Sequence, residues 1–448
     1  MDTNTTPGPT PGPTPGPTSG PSNGHRTRTR RGLAVGAVTL LLGVTAACGG
    51  GSDADATDEG GKITLTVATF NEFGYEDLLK EYMDLHPDIK VVQKKTGTWE
   101  EHRDNLYTKL AAGSGLSDIE AIEGDGMPAI LEEADAFVDL SDPGLDGRWL
   151  DWKEAAGTTT DGTLIGYGTD IGPEGICYRA DLFEKAGLPT DRDEVAPLFE
   201  TWDSYFETGK QFVKKMPDTA WYDSSKGVSQ AMVNQIEHPF EEEDGTIVAT
   251  SNPEVRDVFD TVTSMQAAGL ATNLDQWSDD WVAAFQKDGF ATMACPGWML
   301  GVIEGNAEGV EGWDIANAFP GGGGNWGGSF LTVPAQSEHP EEAKELAAWL
   351  TAPEQQLKAF EAKGTFPSQV EALDDPVLTD QVNAFFNDAP TGEILSERAQ
   401  AVTVQPYKGP KYADIIAAFQ NAILRVDQGQ ATPEESWDTF VSDVERLS

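Results

Sequence analysis

The side chains best suited to chemistry at a ligand are indoles and carboxylates, and they recur where the sequence turns out of apolar, strand-like runs. Trp298 stands in ACPGWML directly after such a run, and Trp326 stands in GGGGNWGG, where the flanking glycines leave little regular structure to pack against. Trp277 and Trp281 are four apart, just before FQKDGFATM; that spacing serves a ligand platform and a buried helix face equally well. Asn71 and Glu72 follow the first strand-like run, Glu123 and Asp125 the third, and Asp170 and Glu174 flank a later turn, while Gln405 and Tyr407 lie in VQPYKGP. An aromatic face takes the apolar CH face of a sugar ring, and carboxylates and amides take its hydroxyls, so this set of residue types is what a carbohydrate cleft requires. Each carboxylate also reads as a solvated surface group, because acidic residues occur throughout the chain; Asp125, in a Gly-Asp-Gly turn, stands out from that background.

Other chemistries fit the sequence less well. A phosphate loop continues into Lys-Ser/Thr, and a dinucleotide loop is GxGxxG between strand and helix, whereas GGGGNWGG runs into strand-like SFLTVP, which argues against both. The glycines there instead let backbone approach a ligand closely. The chain has five His and three Cys, no two at zinc-ligand spacing, so neither a metal nor a cofactor is expected. A net charge of -45, from 75 acidic and 30 basic residues, excludes nucleic acid as a partner, since phosphate contacts need Lys and Arg.

The elements that must position these residues follow from periodicity. KITLTVAT (62–69) is a β-branched run bounded by Gly and Asn and reads as a strand; Tyr75, Leu78, Leu79, Tyr82 and Leu85 then recur at helical spacing up to His86-Pro87. A strand over IKVVQ (89–93), a helix around 100–112 and a short strand over 118–122 follow. This alternation implies a parallel α/β sheet, with ligands at the carboxyl ends of its strands. TLIGYGTD, GICYRADLF, ATMAC (291–295) and WDIANAF (313–319) read as further strands, 201–216 as a long helix, and the last hundred residues as mostly helix.

The first residues have a different character: a Pro/Gly/Thr repeat, a basic run at 25–31, and an apolar stretch at 33–47. The stretch is shorter than the roughly 20 residues that span a bilayer as a helix, and this order is that of a cleavable export signal over 1–47. Arg30-Arg31 leaves the export route, general or twin-arginine, open. Val44-Thr45-Ala46-Ala47-Cys48 resembles the bacterial lipobox, with Thr45 in place of the usual Leu, so a diacylglycerol thioether on Cys48 is expected to anchor the chain to the membrane. Residues 48–61, rich in Gly and Asp, form an acidic tether of roughly 20 Å root-mean-square span, and folded structure is expected from Lys62. Cys177 and Cys295 then remain, both in strand-like segments and in an oxidising compartment; a disulfide between neighbouring strands and two buried thiols are both open.

Taken in order, the lipobox, TFNEF, HP before IKVV, KLAAGSGLSDIEAIEGD, GTDIGPEGICYRADLFEKAGLP, FQKDGFATMACPGWML and GGGGNWGGSFLTVPAQSEHPEEAKELAAWLTAPEQQ resemble the extracellular sugar-binding lipoproteins of ABC importers, solute-binding protein family 1, similar to maltodextrin-binding protein. The resemblance spans nearly the whole mature chain. It implies an α/β, two-lobe periplasmic-binding-protein-like fold with a helical C-terminal tail: lobe 1 from 62–170 and 314–365, lobe 2 from 171–313 and 366–448, a hinge that includes 170–175, and a ligand cleft between the lobes. It further implies a monomer that is no enzyme and sits on the extracellular face of the cell membrane, capturing an oligosaccharide by lobe closure and delivering it to the permease transmembrane subunits of an ABC transporter. Several well-placed indoles suit flat β-linked glucosides, which favours cello-oligosaccharide. The rival readings are a secreted glycoside hydrolase, which would need a carboxylate pair, and a binding protein for a non-sugar solute.

Overall fold

In the computed structural model, which describes residues 62–447, nine strands form: β1 (Ile63–Phe70), β2 (Ile89–Thr96), β3 (Ile119–Glu123), β4 (Tyr167–Gly168), β5 (Glu174–Arg179), β6 (Ala220–Tyr222), β7 (Phe290–Pro296), β8 (Trp313–Ala316) and β9 (Ser329–Thr332). The expected export signal, Cys48 and the tether up to residue 61 lie outside the described residues. β1 runs parallel to β2 along its whole length and parallel to β3 at its end. The helix between β1 and β2, Glu76–Leu85, turns Leu78, Leu79 and Tyr82 inward; Leu85, in the same apolar series, is at the helix's last residue and is exposed. The next helix, Trp99–Ala112, begins at Thr98, whose hydroxyl accepts the Glu101 N–H, and ends at Gly113 with φ +66, the left-handed cap that glycine adopts without strain.

The first sheet has the order β2-β1-β3-β9-β4. The parallel arrangement implied by strand-helix alternation holds for β1 to β3, but β9 pairs antiparallel with both β3 and β4, so the sheet is mixed. The second sheet has the order β6-β7-β5-β8, with β5 antiparallel to both neighbours. Period-2 alternation along β5 sends Ile176 and Tyr178 into a core with Phe183, Trp221, Phe419 and Phe440, and Cys177 into a core with Met293, Trp313, Phe366 and Leu395. Cover on both faces is the reason GICY is apolar without interruption. The C-terminal helices Tyr412–Asp427 and Pro433–Glu445 pack in the first of those cores, whereas the helix Pro340–Leu350 packs Ala343, Leu346 and Leu350 on the first sheet.

Residue 314 was the expected start of the return to lobe 1, yet β8 pairs with β5 from Trp313 to Ala316, giving β5 its second neighbour, and the chain leaves this sheet only afterwards. Cys177 and Cys295 are bridged, with Cα atoms 5.6 Å apart. The register pairs Cys177 with Met293 and Gly175 with Cys295, so the bridge runs diagonally across an antiparallel pair.

The chain passes between the two sheets three times, over 169–173, 317–328 and 364–369. These segments are laced together: Trp326 N–H donates to the Gly172 carbonyl at 2.9 Å, Ile171 N–H to the Phe366 carbonyl at 2.9 Å, and Glu174 N–H to the Gly324 carbonyl at 3.0 Å. Gly172 N–H donates to Asn325 Oδ1 at 2.8 Å. A Cβ on Gly172 would come within 1.9 Å of the Trp326 carbonyl oxygen, which is why glycine stands there.

Candidate functional site

The carboxyl ends of β1, β3 and β7 meet the three crossing segments around a cavity of about 910 Å³. At the end of β1, Asn71 takes a left-handed conformation with φ +44, which Asn tolerates better than most residues, and turns Asn71 and Glu72 to the cavity edge. At the end of β3, Glu123 Oε2 accepts the Asp125 N–H at 2.8 Å and fixes the Gly-Asp-Gly turn. From the second sheet, Trp298 follows β7 and donates its indole N–H to the Trp326 carbonyl at 2.9 Å. Trp326 lies between Asn325 and two glycines at positive φ; a Cβ on Gly328 would come within 2.4 Å of the Asp170 carbonyl oxygen.

Six expected residues thus share this cavity: Asn71, Glu72, Glu123, Asp170, Trp298 and Trp326. Gln405 and Tyr407 line a second cavity of about 640 Å³, which shares Gly327 with the first. Asp125 itself lines neither cavity: it follows Glu123 of the first and Gly124 of the second along the chain and forms an ion pair with Lys408. Since Tyr407 N–H donates to Glu237 of the second-sheet half, the Lys408 pair ties the C-terminal tail across the cleft to β3.

Trp277 lines neither cavity. It is half exposed, holds φ +74, and stacks on Trp298 with centroids 6.0 Å apart and planes at 25°. Trp281 and Glu174 correct the sequence expectation. Trp281 is fully buried and its indole N–H donates to Asp223 at 2.9 Å: it is on the inward face of helix Asp279–Phe285, so of two residues four apart one became platform support and the other core. Glu174 is fully buried against the glycine loop and neither carboxylate oxygen accepts a hydrogen bond at bonding geometry; burial pushes its carboxyl up to about 8, against the pull of the Asn234 side chain.

The charges have identifiable partners. Glu72 is exposed and its carboxyl lies below its ordinary range because the Lys95 and Lys363 ammonium groups bond to it. Burial, and then the Asp125 charge, raise Glu123. Burial works against the Lys408 ammonium, but the charges of Asp125, the Tyr412 phenol group and Glu123 outweigh it and raise its pKa. Sequence reasoning missed Lys408 and Lys153. The signal was there: both lysines adjoin an aromatic residue, in QPYKG and DWKEA, within a chain where lysine is scarce against acid.

Geometrically, Trp326, Trp298, Trp277 and Trp281 form a run from cavity to core: Trp298 meets Trp326 edge-on at 5.4 Å and 80°, and Trp277 meets Trp281 at 5.0 Å and 53°. Such contacts stabilise each ring's orientation by about 0.5–1.5 kcal/mol per pair. The arrangement offers a fixed aromatic corner with carboxylate and amide groups opposite, suited to binding a polyhydroxylated ring.

Residues 77–386 match the profile of the bacterial extracellular solute-binding proteins. An arabinooligosaccharide-binding protein of Halalkalibacterium halodurans is 27% identical over 388 residues, covering 81% of this chain and 84% of that one. An arabinooligosaccharide-binding protein of Bacillus subtilis is 26% identical, covering 70% and 74%. A crystal structure of an extracellular solute-binding protein of family 1 superposes with a TM-score of 0.84 at 50% identity, covering 86% of this chain and 99% of that one.

Proposed function

Because the chain belongs to the bacterial extracellular solute-binding protein family, we propose that it captures an oligosaccharide between its two sheets and passes it unaltered to the transmembrane subunits of an ABC permease. The observation that carries this reading is the cavity walled by Asn71, Glu72 and Glu123 from the first sheet's strand ends and by Trp298 from the second. A ligand that touches both halves binds the closed arrangement better than an open one, so it shifts the population toward closure. Lobe 1 and lobe 2 are the moving bodies, and the laced segments 169–173, 317–328 and 364–369 are the hinge.

The angle between the indoles supports one sugar class over another. A flat β-1,4-glucan presents coplanar ring faces, and Trp298 and Trp326 at 80° cannot both stack on one ribbon. A bent chain can use both. This moves the preference from cello-oligosaccharide to a flexible or bent oligosaccharide, and two of the relatives it matches, which are arabinooligosaccharide-binding proteins, support that class. The protein acts on the outer face of the cell membrane, held by lipid on Cys48, where a tether keeps a high local concentration near the permease.

A thermal-shift panel of arabino-, cello-, malto- and xylo-oligosaccharides tests the reading. The cognate sugar at 100 times its Kd stabilises by about 2.7 kcal/mol. No shift with any oligosaccharide, or release of shorter sugars at catalytic rates, overturns it.

A further inference from the structure

Lys153, on the helix Asp151–Ala155, is only 2% exposed yet lines the 640 Å³ cavity. Its Nζ lies 3.7 Å from the centroid of the Phe330 ring and donates no hydrogen bond to any described residue. Burial brings its ammonium down to about 8, against the pull of Asp170 and Glu123. A buried ammonium without a hydrogen-bond acceptor is costly, and a cation–π contact offsets only part of that.

The surroundings are donor-rich. Lys408 lines the same cavity, over the Tyr412 ring and held by Asp125. At the wall, Trp152 Nε1 and Gln405 Nε2 are buried with no partner. The carboxylates acting on Lys153 do not close this side: Asp170 and Glu123 line the other cavity, where Asp170 accepts the Thr169 hydroxyl and Glu123 the Asp125 N–H. The cavity's remaining acids, Glu132, Glu237 and Glu243, are exposed at its mouth, where water screens them.

An ionised carboxylate is acceptor-only and takes several donors at once, whereas a sugar hydroxyl also donates and leaves the ammonium charge uncompensated. We propose that the 640 Å³ cavity is a second ligand site that takes a carboxylate-bearing sugar residue, a uronate, on Lys153. This rests on the oligosaccharide reading above and adds to it a charged substituent on the captured chain, seated across the Asp125–Lys408 ion pair from the aromatic corner.

Isothermal titration of the purified protein with aldotriouronic acid and with trigalacturonate, each beside its carboxyl-reduced form, tests the site. In the wild type one acid binds about ten- to a hundredfold more tightly than its reduced form, the range for a hydrogen bond to a charged group, and the advantage shrinks as salt rises. Lys153→Met removes the advantage while leaving the reduced form's Kd within about twofold, and Lys153→Arg keeps part of it; thermal melting confirms that both variants fold. Equal affinity of acid and reduced forms in the wild type overturns the uronate site, as does an equal loss for both in Lys153→Met. If neither acid binds while a neutral oligosaccharide does, this inference falls and the proposed function stands; if no oligosaccharide binds, both fall.

Discussion

Trp298 shows how much one side chain is asked to do. One face is covered by Trp277, its edge meets Trp326, and its N–H is bonded to the Trp326 backbone, so its orientation is set before any ligand arrives. Trp298→Ala is expected to weaken sugar affinity by about tenfold or more, as the loss of one preorganised aromatic contact of about 1.5 kcal/mol, with little change in melting temperature because the ring is over a third exposed. Glu174 carries a pH signature. Its carboxyl is raised from the ordinary 4.5 to about 8 by burial, so above about pH 4.5 the unfolded chain releases a proton that the folded chain keeps. Stability is therefore lost as pH rises from about 4.5 toward about 8. Glu174→Gln removes that loss: its melting temperature relative to wild type rises between pH 5 and pH 8, and parallel curves would contradict the assignment. At this scale the sequence was legible for residues at strand ends, since Asn71, Glu72, Glu123, Asp170, Trp298 and Trp326 all reach one cavity. It was not legible for Trp281 and Glu174, because spacing and strand-end position say nothing about which side of a helix or strand faces water. Lys153 and Lys408 were missed because their one local sign, an adjoining aromatic residue, does not say that a lysine is buried.

At the scale of elements, β5 bears most on stability, since it has strands on both sides and a core on each face. The Cys177–Cys295 bridge joins it to β7 across a separation of 118 residues. Replacing both cysteines by Ala is expected to lower stability by about 4–5 kcal/mol in the chain-entropy picture, seen in a denaturant titration, with sugar Kd unchanged because the bridge lies in the core and not in the cavity. The crossing segments set the opposite balance of stability and function. Gly172→Ala places a Cβ against the Trp326 carbonyl and forces the glycine loop to move, so it should cost about 1–3 kcal/mol as overpacking does and weaken sugar binding as Trp326 shifts; unaltered affinity would separate that loop from the site. Most elements could be read from periodicity, including β1, the helix after it, and the helical tail. The exceptions have a common cause: β4 shrinks to Tyr167–Gly168 and β8 joins the second sheet, because pairing partners far along the chain decide where a short strand ends and to which sheet it belongs.

At the scale of the whole molecule, two sheets, three connecting segments and a cleft between them form the proposed receptor that closes on sugar. The Asp125–Lys408 ion pair spans that cleft and is favourable only when the halves are together, so Lys408→Met should shift the free protein toward a more open form, visible as a larger radius of gyration in solution scattering that cognate sugar reduces. The lipid anchor proposed on Cys48 is separate in sequence from the cleft residues: Cys48→Ala should yield a released protein that binds sugar as the wild type does. The most direct test of sugar capture is isothermal titration of the purified protein with arabinotriose, followed by recovery of the sugar. Interlobe capture predicts saturable binding of one sugar per chain, weakened at least tenfold in Trp298→Ala, with the trisaccharide recovered intact. Absence of binding by this and the other neutral oligosaccharides, or recovery of the sugar as shorter products, would contradict it.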